Sequence, residues 1–516
     1  MRFDYIIVGG GSAGCVLAAR LSGDPTVKVA LIEAGPPDDA SEIRTPLAFP
    51  QLFKTQYDWD YATEPEPWLD GRRVYLPRGR TLGGSSSINA MIYIRGNRAD
   101  YDDWAAAGAA DWGYDAVLPY FIKAEANERC TDQYHGKFGP LSVSDSRSPH
   151  ELYDAFIEAG LQAGCPYNAD FNASQQDGVG RYQLTQRNGM RCSAAVAYLH
   201  PAIERTNLTV ITSGLATRIL FDGPRASGVE LVQRGSPVQL RAEREVILSA
   251  GTYGSAQLLL LSGIGPATDL STHQIAVRQD LPVGIGLQDH PAVFVSYFTD
   301  TETLFTAFSP ENVAMLREEG RGPLSSNCAS VGGFLRTRPD LVAPDIQLHA
   351  GPSMYYDEGL GAPFDHAYSL GPCVVKPTSR GKISLRSARP DAKPRIVHNY
   401  LATREDRECM LSGMRVTLQI AEQEAFRRNR RAPHLAPASD SEADIWEFVK
   451  RRCHSLYHPT STCAIGQVVD SELRVLGVDG LRVVDASVMP SIVRGNTNAP
   501  TIMIAEKASD LIRGKA

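Results

Sequence analysis

The sequence predicts an α/β fold: a doubly wound parallel sheet, with a discontinuous second domain of α+β type built on antiparallel strands. Three observations carry this. A short apolar run, Tyr5-Ile6-Ile7-Val8, leads straight into a glycine-rich turn. A second apolar run, residues 27–32, ends on Glu33. From His290 to about Trp446 the pattern changes to short strands, Pro-rich turns and charged loops.

The first run reads as a buried parallel strand. Gly9-Gly10-Gly11-Ser12-Ala13-Gly14 then fits G-x-G-x-x-G. Gly9 permits the tight turn, Gly11 lets the backbone approach a pyrophosphate, and Gly14 lets the following helix pack on the strand. Ser12 and Ala13 open that helix, expected to run to Leu21, with its first N–H groups toward phosphate. Glu33, followed by Ala34, stands where an acid accepts hydrogen bonds from both ribose hydroxyls and disfavours a 2′-phosphate. With strand, turn, helix and acid in order, the segment reads as a dinucleotide site. It does not by itself separate NAD from FAD.

Further along, Pro36-Pro37-Asp38-Asp39 is a loop, and residues 57–61 (Tyr-Asp-Trp-Asp-Tyr) suit a strand or the wall of a ligand tunnel. The run 79–89, with Gly83, Gly84 and Ser85 through Ser87, exposes many backbone N–H groups and suits a second cofactor contact. Ile88, Met91, Ile92 and Ile94 argue that it is buried. Residues 208–211 and 218–221 read as strands around Ala216-Thr217. Residues 246–251 read as a buried strand running into Gly251. Pro500 is well placed to begin a last helix.

At 516 residues with net charge −7, two domains are expected and nucleic acid is not the main partner, because the basic residues are scattered. The N-terminus enters a strand directly, so no secretory signal is expected, and no apolar run is long enough to span a bilayer. Nine scattered cysteines without a C-x-x-C pair fit reduced thiols in a cytoplasm, with peripheral association with the inner membrane as an alternative.

The run 79–102, with Gly83-Gly84, Asn89, Tyr93, Gly96 and Asp102, resembles the first signature of the glucose–methanol–choline (GMC) oxidoreductase family. GTYGSAQLLLLSGIG at 251–265 resembles the second, with Ala256 in place of the usual proline or serine. Gln288-Asp289-His290-Pro291 is a further family landmark. The resemblance covers nearly the whole chain, and of the branches it is most like the bacterial aliphatic and polyethylene-glycol alcohol dehydrogenases. It implies FAD in a domain of residues 1–150, 200–290 and 450–516, and a substrate domain of 151–199 and 291–449.

The resemblance also implies the site. Cofactor contacts are expected from Gly9, Gly11, Ser12, Ala13, Gly14, Glu33 and Ala34. A second group is Gly83, Ser85, Asn89, Ala90, Ile92 and Ala216, and a third is Asp485, Ala486, Asn498 and Thr501. His458, in Tyr457-His458-Pro459, matches the active-site histidine, suited by its pKa to take a proton from an alcohol. Asn496 matches the second active-site position and would hold the alcohol oxygen. Relatives that bind FAD covalently carry a histidine where Ile88 stands, so non-covalent FAD is expected.

No metal is expected: His454 and His458 are four apart, but Pro459 restricts a helix there and no third ligand is evident. Ser330 is read as standing where choline-specific relatives carry a glutamate, which disfavours choline. Arg494 is read as pointing outward. The expected reaction is oxidation of a neutral primary alcohol to an aldehyde, with electrons passing to a quinone or other acceptor. An oxidase using O2, a choline dehydrogenase and a flavin-containing hydroxynitrile lyase are the rivals.

Overall fold

The computed structural model describes residues 1–515. The chain enters β1 (Arg2–Val8), turns through Gly9 into α1 (Ser12–Leu21), and returns as β2 (Val29–Ile32). After a long excursion it comes back as β3 (Leu208–Ile211) and the hairpin of β4 (Gly214–Asp222) and β5 (Arg225–Gln233). The 13-residue β6 (Ser236–Leu248) follows, then α2 (Gly251–Leu261). Near the C-terminus come β7 (Leu481–Val483) and α3 (Asn498–Ile512).

These strands form one sheet in the order β3-β2-β1-β6-β5-β4, with β7 also on β6. The pairs β3–β2, β2–β1, β1–β6 and β6–β7 are parallel, and the hairpin is antiparallel to β6. Strand order reverses at β1: β2 and β3 lie on one side, β6 and β7 on the other. In an open α/β sheet the crevice at such a reversal, beyond the carboxyl ends of the strands, is where ligands bind. β1 and β2 are nearly all apolar because both sheet faces are covered. Ile6, Ile7, Val29, Ala30 and Leu31 are fully buried.

A second, antiparallel sheet brings together segments far apart in sequence. Its main path is Arg430–Leu435, Val295–Thr299, Ala367–Val374, Ile346–Gly351, Val331–Leu335 and Gly178–Arg181. The short strands Pro291–Ala292 and His454–Ser455 join it at one side. The amphipathic helix Arg404–Ala421 covers it, burying Met410, Met414 and Ile420.

Some boundaries differ from expectation. The second strand begins at Val29, because Val27 N–H closes a turn onto the Asp24 carbonyl. The strand expected at 218–221 is the end of β4, extended by its hairpin partner. Pro500 is the third residue of α3, not the first. His454 lies in a strand, so it does not share a helix face with His458.

Candidate active site

A cavity of 530 Å³ opens at the sheet reversal and runs to the antiparallel sheet, where His349, Ala350, Gly351 and Ser369 of two central strands line it. At one end are the residues that follow β1 and β2. Gly9 adopts φ +104°, and a Cβ on it would lie 2.4 Å from the Ser249 carbonyl oxygen at the end of β6. Only glycine fits so tight a crossing of two backbones. Gly11, Ser12, Ala13, Glu33 and Ala34 line the cavity wall. Gly14 does not. A Cβ there would stand 1.9 Å from the Gly9 carbonyl oxygen, so Gly14 sets how closely α1 packs on β1. Gly83 also stands behind the wall. It holds φ +83° and donates its N–H to the Gly10 carbonyl at 2.7 Å, clamping the serine-rich loop to the glycine turn.

Ser85, Asn89, Ala90 and Ile92 continue the wall, as do Ala216, Asp485, Ala486, Asn498 and Thr501. Trp59 and Tyr61, stacked 5.8 Å apart, also line it. The Glu33 carboxylate accepts from the N–H groups of Gly10 (2.9 Å) and Gly35 (2.8 Å), and burial pushes its pKa up to about 7. Asp485 accepts from Gly251 N–H, Ser255 Oγ and Ser487 N–H, tying β7 to the start of α2.

FAD fits this cavity on the structure's own terms. Neither α1 nor α3 has a side-chain cap at its N-terminus. Both N-termini open onto the same space, where Ser12 Oγ donates to Asn498 Oδ1 at 2.8 Å. Unsatisfied helix N–H groups with the positive ends of two helix dipoles suit a pyrophosphate and an electron-rich ring. The buried Ser249 hydroxyl on the same wall lacks a partner. Replacing Glu33 by glutamine removes one carboxylate oxygen from this shell. FAD affinity is expected to fall about 10- to 100-fold, corresponding to 1–3 kcal/mol for a lost buried acceptor. Fluorescence titration of the apoprotein measures it.

At the other end lie His458 and Asn496. His458 Nε2 is 3.2 Å from Asn496 Nδ2. His458 Nδ1 is 3.0 Å from His290 Nδ1, and His290 Nε2 is 3.1 Å from the Val375 carbonyl oxygen. Asp289 Oδ1 accepts from the backbone N–H of both histidines, at 2.9 and 2.8 Å, which fixes where each ring starts. Burial holds His458 well below the ordinary histidine pKa. The neighbouring imidazoles of His290 and His349 and the Arg78 guanidinium push the same way. Burial also lowers His290 to about 4 and His349 to about 3.

The cavity lining also includes the apolar and aromatic residues Phe53, Phe294, Leu304, Phe305, Met354 and Tyr355. Among the described residues only Glu33, Arg78 and Asp485 bring charge to the cavity lining. The two carboxylates are engaged by their own backbone partners. Arg78 Nη1 donates to the Tyr457 carbonyl at 2.6 Å.

Two sequence-based expectations need correction. Arg494 does not point outward: it is buried, and its guanidinium pairs with Asp100, which also accepts the Arg494 backbone N–H. It does not line the cavity either, because Asp100, distant in sequence, holds it in the interior. Ser330 is buried away from the wall, its Oγ donating to Asn327 Oδ1 at 2.8 Å, so it says nothing about cation binding. The sequence alone gives no role to His290, His349, Gln347 or Arg78. Gln347 and His349, two buried polar residues in the otherwise apolar strand Ile346–Gly351, are the local signal the sequence offers.

Cys130, His135 and Asp170 bring ligand-type atoms within 4.8 Å of one another, away from the cavity. His135 meets Glu125 at Nδ1 and Asp170 at Nε2. Burial would lower its pKa, but these two carboxylates outweigh it and push it up to about 9. An imidazolium between two acids accounts for the cluster.

The family model described as GMC oxidoreductase matches residues 3–292, and its C-terminal counterpart matches residues 377–505. The chain is 42% identical to an alcohol dehydrogenase [acceptor] of Pseudomonas putida over 526 residues, covering 99% of this chain and 95% of that protein. It is 45% identical to the mitochondrial choline dehydrogenase of Homo sapiens over 537 residues, covering 100% and 90%. Among solved structures, a formate oxidase of Aspergillus oryzae, studied for modification of its FAD, superposes with a TM-score of 0.93 at 28% identity, covering 100% and 98%. With the cavity, the two open helix N-termini and the histidine–asparagine pair on its wall, these likenesses have one reading: the chain belongs to the GMC oxidoreductase family, flavoenzymes that use FAD to act on alcohols.

Proposed function

We propose that this protein oxidises a neutral primary alcohol to the aldehyde, with His458 as proton acceptor and Asn496 as the donor that holds the alcohol oxygen. The observation that carries the reading is the 3.2 Å pair of His458 Nε2 and Asn496 Nδ2 on a cavity wall that also carries the FAD-binding glycine turn. A hydroxyl that displaces this direct contact donates to Nε2 and accepts from the amide. As its proton moves to His458, the amide N–H stabilises the charge growing on oxygen. FAD, held by the glycine turn and the two open helix N-termini, would supply a two-electron acceptor for the hydride of the carbinol carbon, and Ile88 on the same wall offers it no covalent bond. The proton on His458 and the hydride together account for both hydrogens lost.

The apolar wall with no free carboxylate supports a neutral substrate over a quaternary cation, which has no charge partner here. The choline dehydrogenase likeness makes choline the necessary control. An alcohol panel tests the reading: aliphatic, aromatic and glycol alcohols and choline, with a quinone or dye in one arm and air in the other. Turnover of neutral alcohols with quinone is expected. Turnover of choline alone would overturn the substrate assignment, and fast turnover in air alone would make the protein an oxidase.

A second expectation concerns pH. Because burial holds His458 neutral to well below pH 6.5, its base form is present throughout the neutral range. The acid limb of kcat/KM is therefore expected below pH 6.5, with little change between pH 8 and 6.5. Initial rates across that range measure it.

A further inference from the structure

We propose that two hydrogen-bond chains, each ending on a main-chain carbonyl, fix the proton of neutral His458 on Nδ1 and aim the Nε2 lone pair at the Asn496 amide. This makes His290, Gln347 and Tyr182 positioning residues for proton abstraction. The proposal rests on the assignment of His458 as the proton acceptor and adds how that acceptor is oriented.

The first chain starts at Val375. Its carbonyl can only accept, so His290 Nε2, 3.1 Å away, carries a hydrogen. A neutral imidazole has one N–H, so His290 Nδ1 presents a lone pair. That lone pair faces His458 Nδ1 at 3.0 Å, and the contact is a hydrogen bond only if His458 carries its hydrogen on Nδ1. His458 Nε2 is then unprotonated. Burial keeps both rings neutral, so no second proton is present to blur the assignment.

The second chain reaches the same atom from the other side. Tyr182 Oη donates to the Leu348 carbonyl at 2.6 Å, so toward Gln347 it can only accept. Gln347 Nε2, 3.4 Å from Tyr182 Oη, must therefore be the amide nitrogen. The same nitrogen donates to Asn496 Oδ1 at 3.1 Å, which turns the Asn496 Nδ2 toward His458 Nε2. A donor facing Nε2 again requires a lone pair there. Flipping Asn496 would set oxygen against the His458 lone pair, and flipping Gln347 would set oxygen against Tyr182 Oη.

Gln347 Oε1 is buried without a partner. Satisfying both Tyr182 and Asn496 through one nitrogen leaves the other amide atom orphaned. The arrangement resembles the use of a hydrogen-bond partner to select the tautomer of a catalytic imidazole, but with a neutral imidazole and a backbone carbonyl in place of a carboxylate. The absence of a carboxylate partner matters: His458 gains no charge stabilisation at Nδ1 and stays a neutral base until it meets substrate.

The test reads the tautomer directly. FAD-loaded protein labelled with 15N-histidine, free of alcohol, gives a long-range proton–nitrogen spectrum in which protonated and unprotonated ring nitrogens resonate apart. The His458 signals are identified by their loss in His458→Gln. Nδ1 protonated and Nε2 unprotonated is expected. A hydrogen on Nε2 would overturn the proposal. The measurement uses no substrate, so it stands or falls separately from alcohol oxidation.

Kinetics supply a second readout. His290→Leu, which removes the acceptor, is expected to lower kcat about 10- to 100-fold with KM within about twofold. His290→Asn, which offers an oxygen where Nδ1 stood, is expected to recover most of that loss. Tyr182→Phe frees Gln347 to flip and is expected to lower kcat about 3- to 10-fold at unchanged FAD content. Equal effects of the two His290 replacements, together with an unaltered His458 tautomer in Tyr182→Phe and both His290 variants, would show that these side chains are structural only.

Discussion

Replacing His458 by alanine is expected to lower kcat by about 10²- to 10⁴-fold, the range that a positioned general base contributes. The bound FAD and the fold are expected to survive. His458 lies on the wall of the cavity and is held through Asp289 and His290, and no strand or helix depends on its ring. An unchanged flavin absorption spectrum separates this outcome from misfolding. A residual rate is expected, because in the proposed mechanism Asn496 still donates to the alcohol oxygen and the cavity still orients the substrate. A solvent base replaces the imidazole only in the free-energy sense, without its fixed geometry. Because His458 is held neutral, raising the pH is expected to rescue the variant only through hydroxide, giving a rate that climbs with pH where the wild type is flat.

The Gly14→Ala protein is expected to lose FAD altogether and to accumulate as unfolded or aggregated chain. A single added methyl group would lie 1.9 Å from the Gly9 carbonyl oxygen and 3.4 Å from Leu31 Cδ1. No rotamer relieves this contact, because the clash is with backbone. α1 must then move off β1, at the point where the Gly9 turn crosses the end of β6. Overpacking in a well-filled core costs about 1–3 kcal/mol, and a backbone contact this short exceeds that range. Losing the position of α1 also moves its open N-terminal N–H groups, which suit a pyrophosphate. The yield of soluble yellow protein, compared with the wild type, reads the result.

The two predictions sit at opposite extremes of what the sequence discloses. Gly14 announces itself because the glycine turn, its helix and Glu33 are contiguous, and each is constrained by local geometry. His458 and Asn496 are legible only through the family motif. Nothing in the periodicity of Tyr457-His458-Pro459 separates a base from a core histidine. His290, Gln347 and Tyr182 were hidden for a further reason: their chains run between strands of the antiparallel sheet, through pairings such as Gly333 with Leu348 and Ala292 with Cys373. Register across such a sheet cannot be read from one strand's residues.

Arg494 shows the same difficulty from the other direction. An arginine in a polar turn reads as surface, and only the fold reveals that Asp100 waits behind it. Ser330 lost its meaning in the same way. The likeness of a short segment sets it where choline-specific relatives carry a glutamate, while the chain turns it toward Asn327.

The most direct test of the account is anaerobic mixing of the FAD-loaded protein with a neutral primary alcohol, following flavin absorbance, with the alcohol carrying deuterium or hydrogen on its carbinol carbon. The flavin is expected to bleach, deuterium to slow the bleaching, and His458→Ala to slow it by the same order as kcat. Bound FAD that no alcohol bleaches, or bleaching indifferent to both deuterium and His458, would contradict the account.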